Sequence, residues 1–100
     1  MGYWLYIVAC SDGSLYTGIA TDVARRVAEH NGLGKNGEPA GGKSKGARYT
    51  SARRPVRLVY EAMFETRSDA SREEFRIKQL TRAGKDLLIA AAAKQIAKKR

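Results

Sequence analysis

The chain has a single cysteine, Cys10, so it cannot form an internal disulfide. No second thiol or neighbouring histidine accompanies it, which leaves no cysteine-based zinc site. No apolar run approaches the roughly 20 residues that a membrane-spanning helix needs, so the expectation is a soluble protein with no membrane partner. The run Trp4 to Cys10 lacks a preceding positive charge and ends in Ser11-Asp12-Gly13-Ser14, a turn-forming sequence. It therefore reads as a strand, not as the core of a signal peptide. A reducing cytoplasm is the expected location. Internal repeats and interdomain linkers are also missing.

Acidic residues are scarce. Ten Asp and Glu stand against 19 Lys and Arg, a formal charge of +9. Much of the excess falls between residues 31 and 60, where Lys35, Lys43, Lys45, Arg48, Arg53, Arg54 and Arg57 face one acid, Glu38. Such an imbalance favours a polyanionic partner through counterion release, and nucleic acid is the expected one.

With 100 residues and 43% hydrophobic content, the chain has material for one core, and a single domain over residues 1–100 is expected. Residues 3–10 and 14–20 are β-rich runs joined by a glycine-containing turn, which signals a hairpin. A three-residue loop, Ser11-Asp12-Gly13 with Gly13 left-handed, pairs Cys10 with Ser14 and sets Tyr6 opposite Gly18. Tyr6, Val8, Tyr16 and Gly18 then share one face, and Leu5, Ile7, Ala9, Leu15 and Ile19 form an apolar opposite face suited to a core. A two-residue loop would separate the tyrosines, so the functional reading hangs on this register.

Thr21 or Asp22 can cap a helix that runs to about His30 and stops at Asn31-Gly32. Val23 and Val27 define its apolar stripe, and Arg26 and His30, four residues apart, lie at its edge on one face. Residues 31–51 hold six of the ten glycines and show no periodicity, which predicts a basic surface loop, extending over 31–55. Pro55 opens a third strand to about Met63, in which the polar-apolar alternation is imperfect. Ser68 or Asp69 is the expected cap of a second helix to about Leu80, and Thr81 that of a third. Residues 97–100 read as a frayed basic tail. The order ββαβαα predicts an α+β fold, a three-stranded antiparallel sheet packed with helices.

Trp4-Leu5-Tyr6 and Tyr16-Thr17-Gly18, with tyrosines ten positions apart, resemble the two tripeptides of the GIY-YIG endonuclease superfamily. The likeness continues through Arg26 and His30, ten and fourteen positions beyond Tyr16, and through Glu74 on the helix after the third strand. It spans residues 3 to about 85 and is nearest to the small single-domain bacterial members, which also share the stretch Gly46 to Val56. Trp4 and Leu5 replace the Gly and Ile of the first tripeptide, a change that touches packing more than chemistry. Ile19 stands where excision-repair relatives often carry lysine.

The resemblance implies a metal-dependent endonuclease of weak sequence specificity acting on DNA in preference to RNA, in repair or processing. It also implies a site of Tyr6, Tyr16, Arg26, His30 and Glu74. Glu74 would hold Mg²⁺ or Mn²⁺, since magnesium keeps most of its waters and needs only one or two carboxylates beside the substrate phosphate. Arg26 would grip the scissile phosphate with its fork of donors. Tyr6 is the expected general base, its phenol lowered by neighbouring cations, with Tyr16 and His30 hydrogen-bonding to it or to the water. The two tyrosines are interchangeable at this level. Lys43, Lys45, Arg48, Tyr49, Arg53 and Arg54 are the expected contacts to the nucleic-acid backbone. Taken singly, each site residue also has an ordinary structural reading: a packed tyrosine, a helix-end histidine, or a glutamate paired with Arg26, Arg76 or Lys78.

Overall fold

The computed structural model describes residues 2–32 and 53–98, and side chains as far as Ala92. It contains β1 (Tyr3–Cys10), β2 (Leu15–Ala20), α1 (Val23–His30), β3 (Val56–Phe64), α2 (Arg67–Lys78) and α3 (Arg82–Lys98). The order ββαβαα and the α+β class are as expected. The three strands form one antiparallel sheet in the order β2-β1-β3.

The loop between β1 and β2 has three residues. The Cys10 amide donates to the Ser14 carbonyl at 2.8 Å, and Gly13 takes φ = 87°, a left-handed conformation that a Cβ would strain. Asp12 tightens the turn by accepting from the Ser14 amide and hydroxyl. The register follows: Tyr6 lies opposite Gly18 and Val8 opposite Tyr16, so both tyrosines share a face.

Both faces of the sheet are covered. Because β1 is the central strand, Leu5, Tyr6, Ile7 and Val8 are all fully buried, which explains its nearly unbroken apolar sequence. The second face is the expected core: Leu5 and Ile7 pack with Ile77 of α2, flanked by Leu15, Leu80, Leu88 and Ile89. Burying a residue of this size contributes about 1.5–3 kcal/mol, so the three together form a substantial anchor for α2. The tyrosine face is a core as well, with Tyr6, Val8, Cys10, Val56 and Val23 packed together and Trp4, Tyr16 and Val27 at its edge.

Several boundaries differ from expectation. Asp22 caps α1 through the Arg25 amide, and Thr81 accepts from Gly84 at the start of α3, both as expected. The cap of α2, however, is Thr66, which accepts from the Asp69 amide. Ser68 and Asp69 fall inside the first turn, where an aspartate suits the positive end of the helix. Helix α3 continues through Lys98, so the beginning of the expected frayed tail is helical. The imperfect alternation of β3 has a cause in a bulge. Val8 pairs with Leu58 and Ile7 with Tyr60, leaving Val59 as the extra residue, and Val59 and Tyr60 both pack on the α2 side.

Candidate active site

The site is built where α1 crosses the tyrosine face of the hairpin. Tyr6 Oη lies 2.7 Å from His30 Nε2, and both residues have no solvent-accessible surface. Tyr16 stands edge-on to the imidazole, with ring centroids 5.2 Å apart and planes at 61°. The Tyr6 and Tyr16 centroids are 6.5 Å apart. Three of the five expected residues thus form one aromatic cluster.

Gly18 makes the cluster possible. A Cβ placed on it would stand 2.6 Å from Tyr6 Oη and 2.8 Å from Cζ, so only glycine lets the phenol lie across β2. Gly18→Ala is expected to displace the phenol from His30 and cost about 1–3 kcal/mol by overpacking. A urea titration would measure this, and an unchanged midpoint would mean that the phenol has room elsewhere.

The two remaining residues act on the same phenol. The Arg26 guanidinium and the Glu74 carboxylate are both near enough to act electrostatically on Tyr6, Arg26 favouring the phenolate and Glu74 opposing it. Burial is the largest influence and, with Tyr16 and Glu74, outweighs the pull of Arg26, so the Tyr6 phenol is pushed up to about 12. The expected lowering by neighbouring cations is therefore reversed among the described residues. At neutral pH Tyr6 is a protonated phenol, able to accept from Arg26 and donate to His30 Nε2.

Arg26 and Glu74 are the solvent-facing members. The Arg26 side chain is 37% exposed and its Nε lies 3.2 Å from Glu29. A guanidinium has five donors, so Tyr6 and Glu29 leave several for a phosphate. Glu74 is 26% exposed and lies 3.4 Å from Lys78 Nζ, one of the ordinary pairings anticipated for it. Such an exposed pair one helical turn apart is worth only a few tenths of a kcal/mol, so Lys78 is a weak competitor for the carboxylate. Among the described residues no group of three or more His, Cys, Asp or Glu comes together, so a metal here would rest on a single carboxylate and substrate oxygens. That donor set suits magnesium.

Of the expected nucleic-acid contacts, Lys43, Lys45, Arg48 and Tyr49 lie outside the described residues. Arg53 and Arg54 are engaged within the protein. Arg53 Nε lies 3.1 Å from Asp12 at the hairpin tip, and Arg54 Nε donates to the His30 carbonyl at 2.9 Å. Arg54 is nonetheless an exposed residue whose guanidinium sits over Gly32.

Asn31 escaped the sequence reading as anything more than a helix stop. Its side chain donates to the Val56 carbonyl at 3.0 Å and accepts from the Val56 amide at 2.7 Å. This clamps the end of α1 to the start of β3 and fixes the backbone next to His30. Its only signal in sequence was the choice of Asn immediately before a glycine. Asn31→Ala leaves both Val56 groups unpaired and is expected to cost about 1–3 kcal/mol, read by thermal unfolding. A variant as stable as the parent would show that water replaces the clamp.

Among the described residues, no helix is long and apolar enough to cross a membrane. Comparison with known proteins agrees with the geometry. The chain is 48% identical over 92 residues to a UPF0213 protein of Desulfotalea psychrophila, covering 92% of this chain and 74% of that one. It is 49% identical over 87 residues to a UPF0213 protein of Staphylococcus aureus, covering 87% and 93% respectively. Two solution NMR structures are similar. A UPF0213 protein of Bacillus halodurans gives a TM-score of 0.54 at 38% identity, with 91% of this chain and 85% of that chain covered. A protein of E. faecalis gives 0.58 at 33% identity, with 93% and 88% covered. Residues 2–86 match the GIY-YIG catalytic domain, and the chain belongs to that family.

Proposed function

We propose that this domain is an endonuclease that hydrolyses phosphodiester bonds of DNA with the help of a divalent metal ion. The observation that supports the reading is that the Arg26 guanidinium and the Glu74 carboxylate both act on one buried phenol, Tyr6, which is hydrogen-bonded to His30. Arg26 would bind the scissile phosphate. Glu74 would hold Mg²⁺ or Mn²⁺, which when bound supplies positive charge to the phosphate and leaving oxygens.

The burial of the two tyrosines divides their work. Tyr6 is sealed from solvent and protonated, whereas Tyr16 is half-buried. Tyr16 is therefore the better candidate to take the proton of the attacking water. Tyr6 becomes the positioning residue: it holds His30 through a hydrogen bond and lies close enough to Arg26 to influence it electrostatically. His30 in turn orients the Tyr16 ring. Acting as a phenolate, Tyr16 would take the proton of the water as that oxygen bonds to phosphorus, and the opposite P–O bond would break, its departing oxygen stabilised by positive charge.

Supercoiled-plasmid nicking tests the reading. Nicking is expected with Mg²⁺ or Mn²⁺, to stop in EDTA, and to fall about a hundredfold in Arg26→Ala, by analogy with removing one transition-state donor. Binding of the variant to DNA in EDTA should persist, because one phosphate contact among several is lost. Undiminished nicking in Arg26→Ala would trace the activity to a contaminant. Tight binding without nicking under any metal would make the domain a nucleic-acid-binding module instead.

A further inference from the structure

Beside the proposed active site, on the same sheet face, lies an open cavity of about 500 Å³ lined by Trp4, Thr21, Asp22, Val23 and Glu61. Two register facts place it. Trp4 and Tyr6 alternate onto the same face of β1, about 7 Å apart along the strand. Glu61 pairs directly with Tyr6 across β1 and β3, so it projects from that face too. Thr21 and Asp22 also line a second cavity of about 190 Å³ that includes Arg26. The two cavities thus adjoin around the first turn of α1, one carrying the phosphate-binding cation and the other an indole and a carboxylate.

Of the described residues, Glu61 is the only carboxylate besides Asp22 that lines the larger cavity. Among the described residues, Asp12, Glu29, Asp69, Glu73, Glu74 and Asp86 are all ion-paired, and Asp22 caps α1. Glu61 and Glu65 enter no ion pair there, and of the two only Glu61 lines this cavity. A lone carboxylate next to a site for a polyanion would repel phosphate, so it is suited to a different part of a nucleotide. Carboxylates accept from the exocyclic amino groups of bases, and an indole is a stacking platform for any base. Thymine and uracil have no amino group, and their exposed carbonyl oxygens oppose a carboxylate.

We infer that the Trp4–Glu61 cavity is a nucleobase subsite, which takes an unpaired, amino-bearing base from a nucleotide next to the one held by Arg26. The inference rests on the nuclease reading for its choice of ligand. It adds a base preference to a domain expected to have almost none.

Trp4 is the only tryptophan in the chain, so its fluorescence reports this cavity alone. The probes are single-stranded homopolymers of about 12 nucleotides, oligo(dC), oligo(dA) and oligo(dT), titrated in EDTA with affinity followed separately by anisotropy. Oligo(dC) and oligo(dA) are expected to quench Trp4 and to bind about tenfold more tightly than oligo(dT). Glu61→Gln, a change at an exposed position, should bring the dC to dT ratio close to one while quenching persists. Trp4→Phe keeps an aromatic ring in the packing and should weaken all three probes. Saturation by anisotropy with no change in Trp4 fluorescence would overturn the subsite, and so would a dC to dT ratio that Glu61→Gln leaves intact. Because no metal is present, these outcomes are independent of nicking. A domain that nicks plasmid without quenching refutes the subsite alone, and one that quenches selectively without nicking refutes the nuclease alone.

Discussion

Tyr16→Phe is expected to lower DNA cleavage by about 10²–10⁴-fold while leaving DNA affinity nearly unchanged, the loss typical of a general base. The ring keeps its edge-on contact with His30, centroids 5.2 Å apart, so the substitution preserves the packing of the ring while removing its hydroxyl. Tyr6→Phe should behave differently. Its hydroxyl touches His30 and is reached by Arg26, so its removal displaces the phosphate-binding group and costs on the order of 10²-fold or less, through orientation. Single-turnover cleavage with saturating DNA separates the two. If Tyr6→Phe proves the more severe, the buried phenol must open to solvent during the reaction, and the roles of the tyrosines exchange.

Tyr6 carries a second signature in its protonation. Its phenol is raised from 10.0 to about 12, chiefly by burial. Between those values the folded chain retains a proton that the unfolded chain has released, so stability is complete below about pH 10 and declines as pH rises toward 12. The decline amounts to about 2–3 kcal/mol. Tyr60, also raised by burial and by Glu73, adds to the same trend, so the comparison with Tyr6→Phe isolates the Tyr6 share. Denaturant midpoints across this range are the measurement, and identical slopes in parent and variant would contradict the assignment.

Glu74→Gln should abolish metal-dependent cleavage, by about 10³-fold if the bound cation supplies several kcal/mol to the transition state. Stability should hardly move. The amide keeps the shape of the side chain, and the exposed pairing with Lys78 contributes only a few tenths of a kcal/mol. Lys78→Ala is the informative control, since freeing the carboxylate should preserve activity and strengthen Mn²⁺ binding. Paramagnetic resonance of Mn²⁺ would follow both variants. A Glu74→Gln protein that still cuts at the parental rate would show that another group holds the metal, and would remove the main role assigned to this helix.

The order of elements was legible because each carries its own local signal. Gly13 announces the hairpin, Asp22 and Thr81 cap helices, and Val23 and Val27 mark a stripe. The cap of α2 was misplaced because Thr66, Ser68 and Asp69 are all competent caps, and only the path of the chain leaving β3 selects among them. The bulge at Val59 was visible only as a flaw in alternation, since an inserted residue has no side-chain signature. Of the site, the five residues were found through their resemblance to a family and its spacing. Asn31 and Glu61 were not, because their significance lies in what they face across the sheet and not in their neighbours along the chain.

The sequence by itself located the hairpin and narrowed its loop to two or three residues, and the structure chose the three-residue loop that puts Tyr6 and Tyr16 on one face. The sequence also determined the positive charge that suits a polyanion. Only the tertiary structure decided which of the site residues are sealed and which are open. That depends on α1 lying across the hairpin and α2 packing behind it: burial protonates Tyr6 against the pull of Arg26, while Tyr16, Arg26 and Glu74 stay partly open to solvent. Burial is a sum over neighbours distant in sequence, and no local pattern carries it.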